Sequence, residues 1–185
     1  MAIFKDGAEM FAIGTYVIYR AEGVCVISDI RKEIFSTLNK ETEFYILNPI
    51  NDRKSVVYVP CDNEALTNMM KPLLSADEIT SLAATLKDER MELAPETRVR
   101  SSQYRDAFAT GDRRALILLI NTVNELVAKT EATGKKVGST DSGALERAIR
   151  YLYDEFSYTS DISDHAELID IIQGKKPCRP KKEQF

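Results

Sequence analysis

Phe11–Ile30 reads FAIGTYVIYRAEGVCVISDI. Two runs rich in Val, Ile and Tyr, Thr15–Tyr19 and Val24–Ile30, meet at Glu22-Gly23, and Gly14 precedes the first. Short runs of this kind between turn residues are the pattern of β-strands. Gly14 and Gly23 supply turn or bulge conformations that residues with a Cβ avoid. Downstream, Glu43–Leu47 and Ser55–Val59 repeat the pattern. The cluster Asn48-Pro49-Ile50-Asn51-Asp52 between them predicts a hairpin, and Leu38-Asn39-Lys40-Glu41 separates the second run from the third. Four or five short antiparallel strands within about sixty residues predict a small curled β-barrel.

After Pro60 the period changes from strand to helix. Ser75, followed three residues later by Glu78, has the spacing of a capping box, and Ile79, Leu82, Ala83 and Leu86 fall on one helical face. Leu93-Ala94-Pro95-Glu96 interrupts. A second helix is predicted from Thr97 to Ala109, ended by Thr110-Gly111-Asp112. A third covers Arg113–Thr130, with Leu116, Leu119, Ile120, Val123, Leu126 and Val127 along one side. Beyond the loop Gly134–Gly138, a fourth begins at Ser139 or Thr140 and carries Leu145, Ala148, Ile149, Leu152 and Phe156. A fifth runs from Asp164 to Ile172. The class is α+β, with a β domain at 1–72 and an all-helical domain at 73–174. The polar, proline-bearing stretch KKPCRPKKEQF (175–185) reads as a disordered tail.

Composition narrows the function. The 185 residues suit one medium domain or two small ones, and 44% hydrophobic with 29% charged residues is the balance of a soluble globular protein. No apolar window is long enough to span a membrane, and no basic-then-apolar leader opens the chain, so a cytoplasmic protein with no membrane partner is expected. Cys25, Cys61 and Cys178 are widely spaced and odd in number, which gives neither a disulfide framework nor a zinc pair. Cys25 and Cys61 read as buried free thiols. His165 is the only histidine and stands in a polar segment with no nucleophile pattern beside it. TGKKVGST (133–140) lacks the spacing of a phosphate loop and follows no strand. No enzyme activity, cofactor or metal site is expected. A net charge of −4 means that any nucleic-acid contact must come from a local patch.

The order of several motifs carries a resemblance. Phe11, Gly14, Val17, Tyr19 and Gly23, then Val59, Pro60 and Asn63, follow the pattern F-x-x-G-x-x-V-x-Y with a later V-P-x-x-N. Thr110-Gly111-Asp112 matches an S-G-D turn, and ALERAIRYLYDEF (144–156) matches a last core helix. Over roughly residues 8–160 the chain resembles the CarD/CdnL family of bacterial transcription regulators. The resemblance implies a Tudor-like barrel that binds the β subunit of RNA polymerase by adding a strand edge to a polymerase sheet. It also implies a helical domain that contacts promoter DNA at the upstream edge of the melted bubble and modulates open-complex stability. A cytoplasmic, nucleoid-associated location follows from those partners.

Candidate residues divide between the two domains. On the helical side Arg98, Arg100 and Arg105, with Arg113 and Arg114 nearby, outnumber the acids Asp106 and Asp112. Ser101, Ser102, Gln103 and Tyr104 can donate hydrogen bonds to phosphates. A solvated arginine-bearing face is the alternative reading of this helix. The family carries a tryptophan wedge at the helix start; Thr97 occupies that position here, and the chain contains no Trp. Ser142 and Gly143 stand where the family commonly has basic residues. The candidate DNA residues are thus Thr97, Arg98, Arg100, Arg105 and Arg114. On the barrel, alignment places polymerase contacts near Arg31 and Lys32 and at Tyr58, Val59 and Pro60, with a charged hairpin tip as the alternative for the first pair. The rival function is a protein-interaction adaptor that never touches DNA.

Overall fold

Alternation between buried and exposed side chains organises the first half of the chain. In the computed structural model, which describes residues 3–5, 8–34, 40–52 and 54–181, a hairpin of β1 (Ile3–Lys5) and β2 (Ala8–Met10) leads in, pairing Ile3 with Met10. A second sheet follows, of β3 (Tyr16–Tyr19), β4 (Gly23–Ile34), β5 (Glu41–Pro49), β6 (Val57–Pro60) and β7 (Met70–Pro72). Its order is β6-β5-β4-β3-β7, antiparallel throughout. A short helix, α1 (Glu64–Thr67), stands between β6 and β7, with Asn63 accepting the Leu66 N–H as its cap. This is the antiparallel Tudor-like architecture expected from the sequence.

The join that the opening stretch poses is a 3-10 turn at Arg20–Glu22 closed by Gly23 at φ +75°, a conformation that glycine adopts without steric cost. Gly14 also lies at positive φ, +85°, and its N–H donates to Ile27 O at 2.7 Å, so the ladder continues past the start of β3. On the inner face Val17, Tyr19, Cys25, Ile27, Tyr45, Leu47, Val59 and Met70 form one apolar cluster. The register of β4 on β5 slips between Ile27 and Asp29, a β-bulge at Ser28. An extra residue there flips the later side chains of β4 relative to an unbroken alternation. Of the break expected at Leu38-Asn39-Lys40-Glu41, Leu38 and Asn39 lie outside the described residues.

The helical unit is built as its stripes predict. α2 (Ala76–Leu86) starts at Ser75, whose N–H donates to Glu78 Oε2 at 2.8 Å while its Oγ accepts the Glu78 N–H at 3.3 Å. α3 (Thr97–Thr110) ends at Gly111, whose left-handed φ of +62° stops the helix. α4 (Arg113–Ala132), α5 (Ser139–Thr159) and α6 (His165–Ile172) follow. Leu116, Leu119, Ile120, Val123, Ala148, Leu152, Phe156 and Leu168 are buried in a single core with Ile79, Ala83 and Leu86. Leu82, Leu126, Val127 and Leu145 are only half-buried. The chain divides into two compact units, Met1–Leu73 and Leu74–Phe185.

The expected disordered tail is corrected over its described part. Cys178 is buried in the helical core, and its N–H donates to Thr80 Oγ1 at 2.9 Å. Asp161 N–H donates to Arg179 O at 2.9 Å, and Ser160 pairs with Pro180 as a β-bridge. Polar composition argued for disorder, but one apolar thiol and a few backbone bonds anchor the segment. Residues 182–185 of the expected tail lie outside the described residues. Truncation after Lys176 is expected to lower the stability of the helical unit by about 2 kcal/mol, the scale of one buried apolar side chain, in urea denaturation followed by circular dichroism. An unchanged midpoint would show that the anchor contributes nothing.

Candidate functional site

β6 is an edge of the five-stranded sheet, with β5 on one side and no strand on the other among the described residues. Pairing of Cys61 N–H with Glu43 O at 2.9 Å fixes the phase of the ladder. Antiparallel pairs alternate between bonded and non-bonded, so Val59 and Val57 turn their backbone groups to β5, whereas those of Tyr58 and Pro60 point the opposite way. Val59 is fully buried in the inner cluster. Its part is to seat the strand, a correction to its place among the contact residues. Pro60 carries no N–H, which limits pairing at the end of the edge.

Two cross-strand rows lie beside that edge on the face opposite the inner cluster, each with a buried residue, Phe44 or Ile46, at its centre. One is Arg31–Phe44–Pro60 and the other Asp29–Ile46–Tyr58. The Tyr58 ring, 38% exposed, stands edge-on to Phe44 with centroids 6.1 Å apart. Arg31 is held between two carboxylates of its own strand, Nε 2.7 Å from Glu33 and Nη1 3.3 Å from Asp29. Lys32 lies on the opposite face of β4 and pairs with Glu41 at 3.2 Å. The structure thus brings Arg31, Tyr58 and Pro60 to one surface and leaves Lys32 off it. The bulge at Ser28 is what puts Asp29 and Arg31 on this side. The thiols nearby are inert at neutral pH: burial pushes Cys25 up to about 12 and Cys61 up to about 11.

On the helical unit, Arg98, Ser101, Ser102 and Arg105 recur at three- and four-residue spacing along one side of α3. Arg98 and Arg105 are exposed and stand about 10.5 Å apart along the helix axis. Thr97 is exposed at the first position of the helix. Arg114 is exposed and lies 3.6 Å from Glu89.

Arg100 is a correction, because its guanidinium turns inward. Nε and Nη2 bind Asp141 at 2.9 and 3.0 Å, Nη1 donates to Ala94 O and Pro95 O at 3.1 and 2.6 Å, and Nη2 also reaches Thr97 Oγ1 at 3.3 Å. All five of its donors are engaged, so none is left for a phosphate. Tyr104, a second phosphate donor on the sequence reading, is buried with its hydroxyl 2.8 Å from Asp141 Oδ1. The hydrogen bonds from Arg100 hold the Asp141 carboxyl below the usual carboxylate range, and burial pushes the Tyr104 hydroxyl up to about 12. Arg113 is likewise internal, both Nε and Nη2 lying 2.6 Å from Glu155 Oε1. Burial raises the Glu155 carboxyl, with Arg113 opposing. Its Oε2 is buried with no hydrogen-bond partner among the described residues.

Sequence reasoning passed over Arg147 on α5, whose guanidinium lies 4.2 Å from the Phe108 ring centre on α3. Its signal was a basic residue one helical turn after Gly143. His165 is exposed at the start of α6, its ring edge-on to Tyr153 at 4.8 Å. Among the described residues, no group of three or more His, Cys, Asp or Glu could hold a metal ion, and no helix is long and apolar enough to cross a membrane.

Compared with known families, residues 11–73 match the model described as the CarD-like/TRCF RID domain. That domain family interacts with the RNA polymerase β subunit and is non-enzymatic. No curated protein matches the chain.

Proposed function

Since residues 11–73 form a CarD-like/TRCF RID domain, we propose that the chain is a non-enzymatic bacterial transcription regulator that docks on the polymerase β subunit and touches promoter DNA with its helical unit. The observation that carries the first half is the coincidence of that match with an edge strand, β6, flanked by Tyr58 and Arg31. Strand addition gives affinity through main-chain hydrogen bonds and specificity through the side chains beside them. Tyr58 and Arg31 are the specificity residues of this reading, Pro60 marks the end of the paired edge, and Lys32 stands apart. In capture of the purified β subunit by the full chain, Tyr58→Glu is expected to weaken binding about tenfold or more. Unaltered affinity, with the variant folded by circular dichroism, would move the contact away from β6.

The DNA half rests on Arg98 and Arg105 along one side of α3, with Arg114 and Thr97 at its borders. Modulation of open-complex stability belongs to this half. The adaptor reading gains from the inward turn of Arg100 and Arg113, which removes two cations from the surface. Salt-dependent binding of duplex DNA by the full chain separates the two, because phosphate contacts release counterions and an adaptor has none to release.

A further inference from the structure

We propose that Asp29 and Glu33 are positioning residues of the docking face, holding the Arg31 guanidinium so that its remaining N–H edge meets neutral oxygen acceptors of the partner, carbonyls and not carboxylates. The proposal rests on the docking half of the reading above and adds the chemistry of the group that this face binds. Past the bulge, Asp29, Arg31 and Glu33 follow one another on one face of β4, about 7 Å apart along the strand. Arg31 therefore has a carboxylate within reach on either side. It binds both, Nε donating to Glu33 Oε1 at 2.7 Å and Nη1 to Asp29 Oδ2 at 3.3 Å. Asp29 is itself fixed, because its Oδ1 accepts the Ile30 N–H at 2.9 Å. Side chains this exposed, 49% for Arg31 and 40% and 35% for the two acids, gain little folding stability from pairing, so what the clamp supplies is orientation.

Donors and charge decide what the oriented group can bind. A guanidinium has five N–H donors; two are engaged here, and three remain, one on Nη1 and both on Nη2. Arg100, with every donor engaged, has no such edge. Two carboxylates against one guanidinium leave the triad with a surplus of negative charge, and Thr42, Phe44, Ile46, Tyr58 and Pro60 beside it are uncharged. Lys32, Glu41 and Glu43 belong to the other face of the same two strands. A partner carboxylate would thus meet repulsion from Asp29 and Glu33, whereas a main-chain or amide carbonyl accepts the same N–H groups without it. β4 stands two strand spacings, about 10 Å, inside the β6 edge, so these carbonyls come from a partner segment lying over the face and not from the added strand. Arg31 ordered before docking also spares the complex the freezing of a flexible side chain, worth up to about tenfold in affinity.

The test is capture of the purified polymerase β subunit by the full chain, each variant being shown folded by circular dichroism. Arg31→Met is expected to weaken capture about tenfold, and by the same factor at low and high salt, because a neutral acceptor leaves no ion pair to screen. Asp29→Ala with Glu33→Ala is expected to weaken it by up to about tenfold. Asp29→Asn with Glu33→Gln, which leave an acceptor oxygen at each place, should keep most of the parent affinity. In the Arg31→Met background the two alanines are expected to change nothing further, since they act only through Arg31. Tighter capture by the amide pair than by the parent, or a full alanine effect without Arg31, overturns the clamp. An Arg31→Met factor that shrinks with salt makes the acceptor a carboxylate and overturns the assignment of the partner group. Failure of the docking reading looks different: a parent that is not captured, or a Tyr58→Glu variant captured as well as the parent, removes β6 and the clamp together.

Discussion

Asp141→Ala is expected to lower the stability of the helical unit by about 3–5 kcal/mol, the range for removing one partner of a buried ion pair. The side chains of Arg100 and Asp141 are 14% and 7% exposed, and the carboxylate accepts both the bidentate guanidinium and the Tyr104 hydroxyl. Its loss strands a cation and a buried phenol together. The pH dependence follows from the depressed carboxyl. A group whose folded value lies below its unfolded one contributes stability above the unfolded value and loses it as pH falls through the folded one. The gap between parent and variant should therefore be full above the ordinary carboxylate range, shrink as pH falls through that range, and close in strong acid. Urea unfolding of the full chain, followed by helical circular dichroism, reads it. A neutral-pH loss under about 1 kcal/mol, typical of an exposed pair, would show that the bridge does not hold the helices.

Arg113→Met is the second large effect, again about 3–5 kcal/mol at neutral pH, but it fades in a different window. Burial raises the Glu155 carboxyl and Arg113 opposes that rise, so deleting the arginine leaves burial to act alone. For a group with a raised folded value, stability is fully present below the unfolded value and is lost as pH climbs through the folded one. As pH falls, the deficit of Arg113→Met should accordingly begin to shrink while still above the ordinary carboxylate range, where the raised Glu155 carboxyl takes up a proton, and that of Asp141→Ala is still undiminished there. Adding Glu155→Leu to Arg113→Met removes the stranded charge and its unpartnered Oε2, and should return stability close to the parent. A double variant as unstable as the single would overturn this account of the pair.

Local rules made much of the architecture legible. Ser75 and Glu78 announced the start of α2 because a capping box is a contact over three residues. The stripes of α4 and α5 were readable because each helix buries one face. Strand β7 was not, since three residues ending in Pro carry no period of their own and pair only because Tyr19 meets Met70 across the sheet. The far half of β4 was hidden by Asp29, Arg31 and Glu33, whose charges read as a loop until the bulge sets them on the outward face. In the candidate sites, Tyr58 came from the family alignment, and its place on an edge strand is visible only in the strand order of the sheet. The inward turn of Arg100 was not, because its partner Asp141 is 41 residues away and no spacing rule links them. Arg147 escaped for the same reason, its ring partner lying on another helix.

The anchor at Cys178 also sets a timetable for biosynthesis. The first unit is complete in sequence by Leu73, whereas the core of the second receives its last buried side chain only at Cys178, whose backbone closes onto Thr80 across 98 residues. At ribosomal speeds, roughly 5–20 s separate the emergence of those two points. Through that interval the whole sequence of the first unit precedes a helical segment that still lacks its last buried side chain. The nascent chain thus has a period in which β6 is already synthesised while the helices stay short of their final hydrophobic contact.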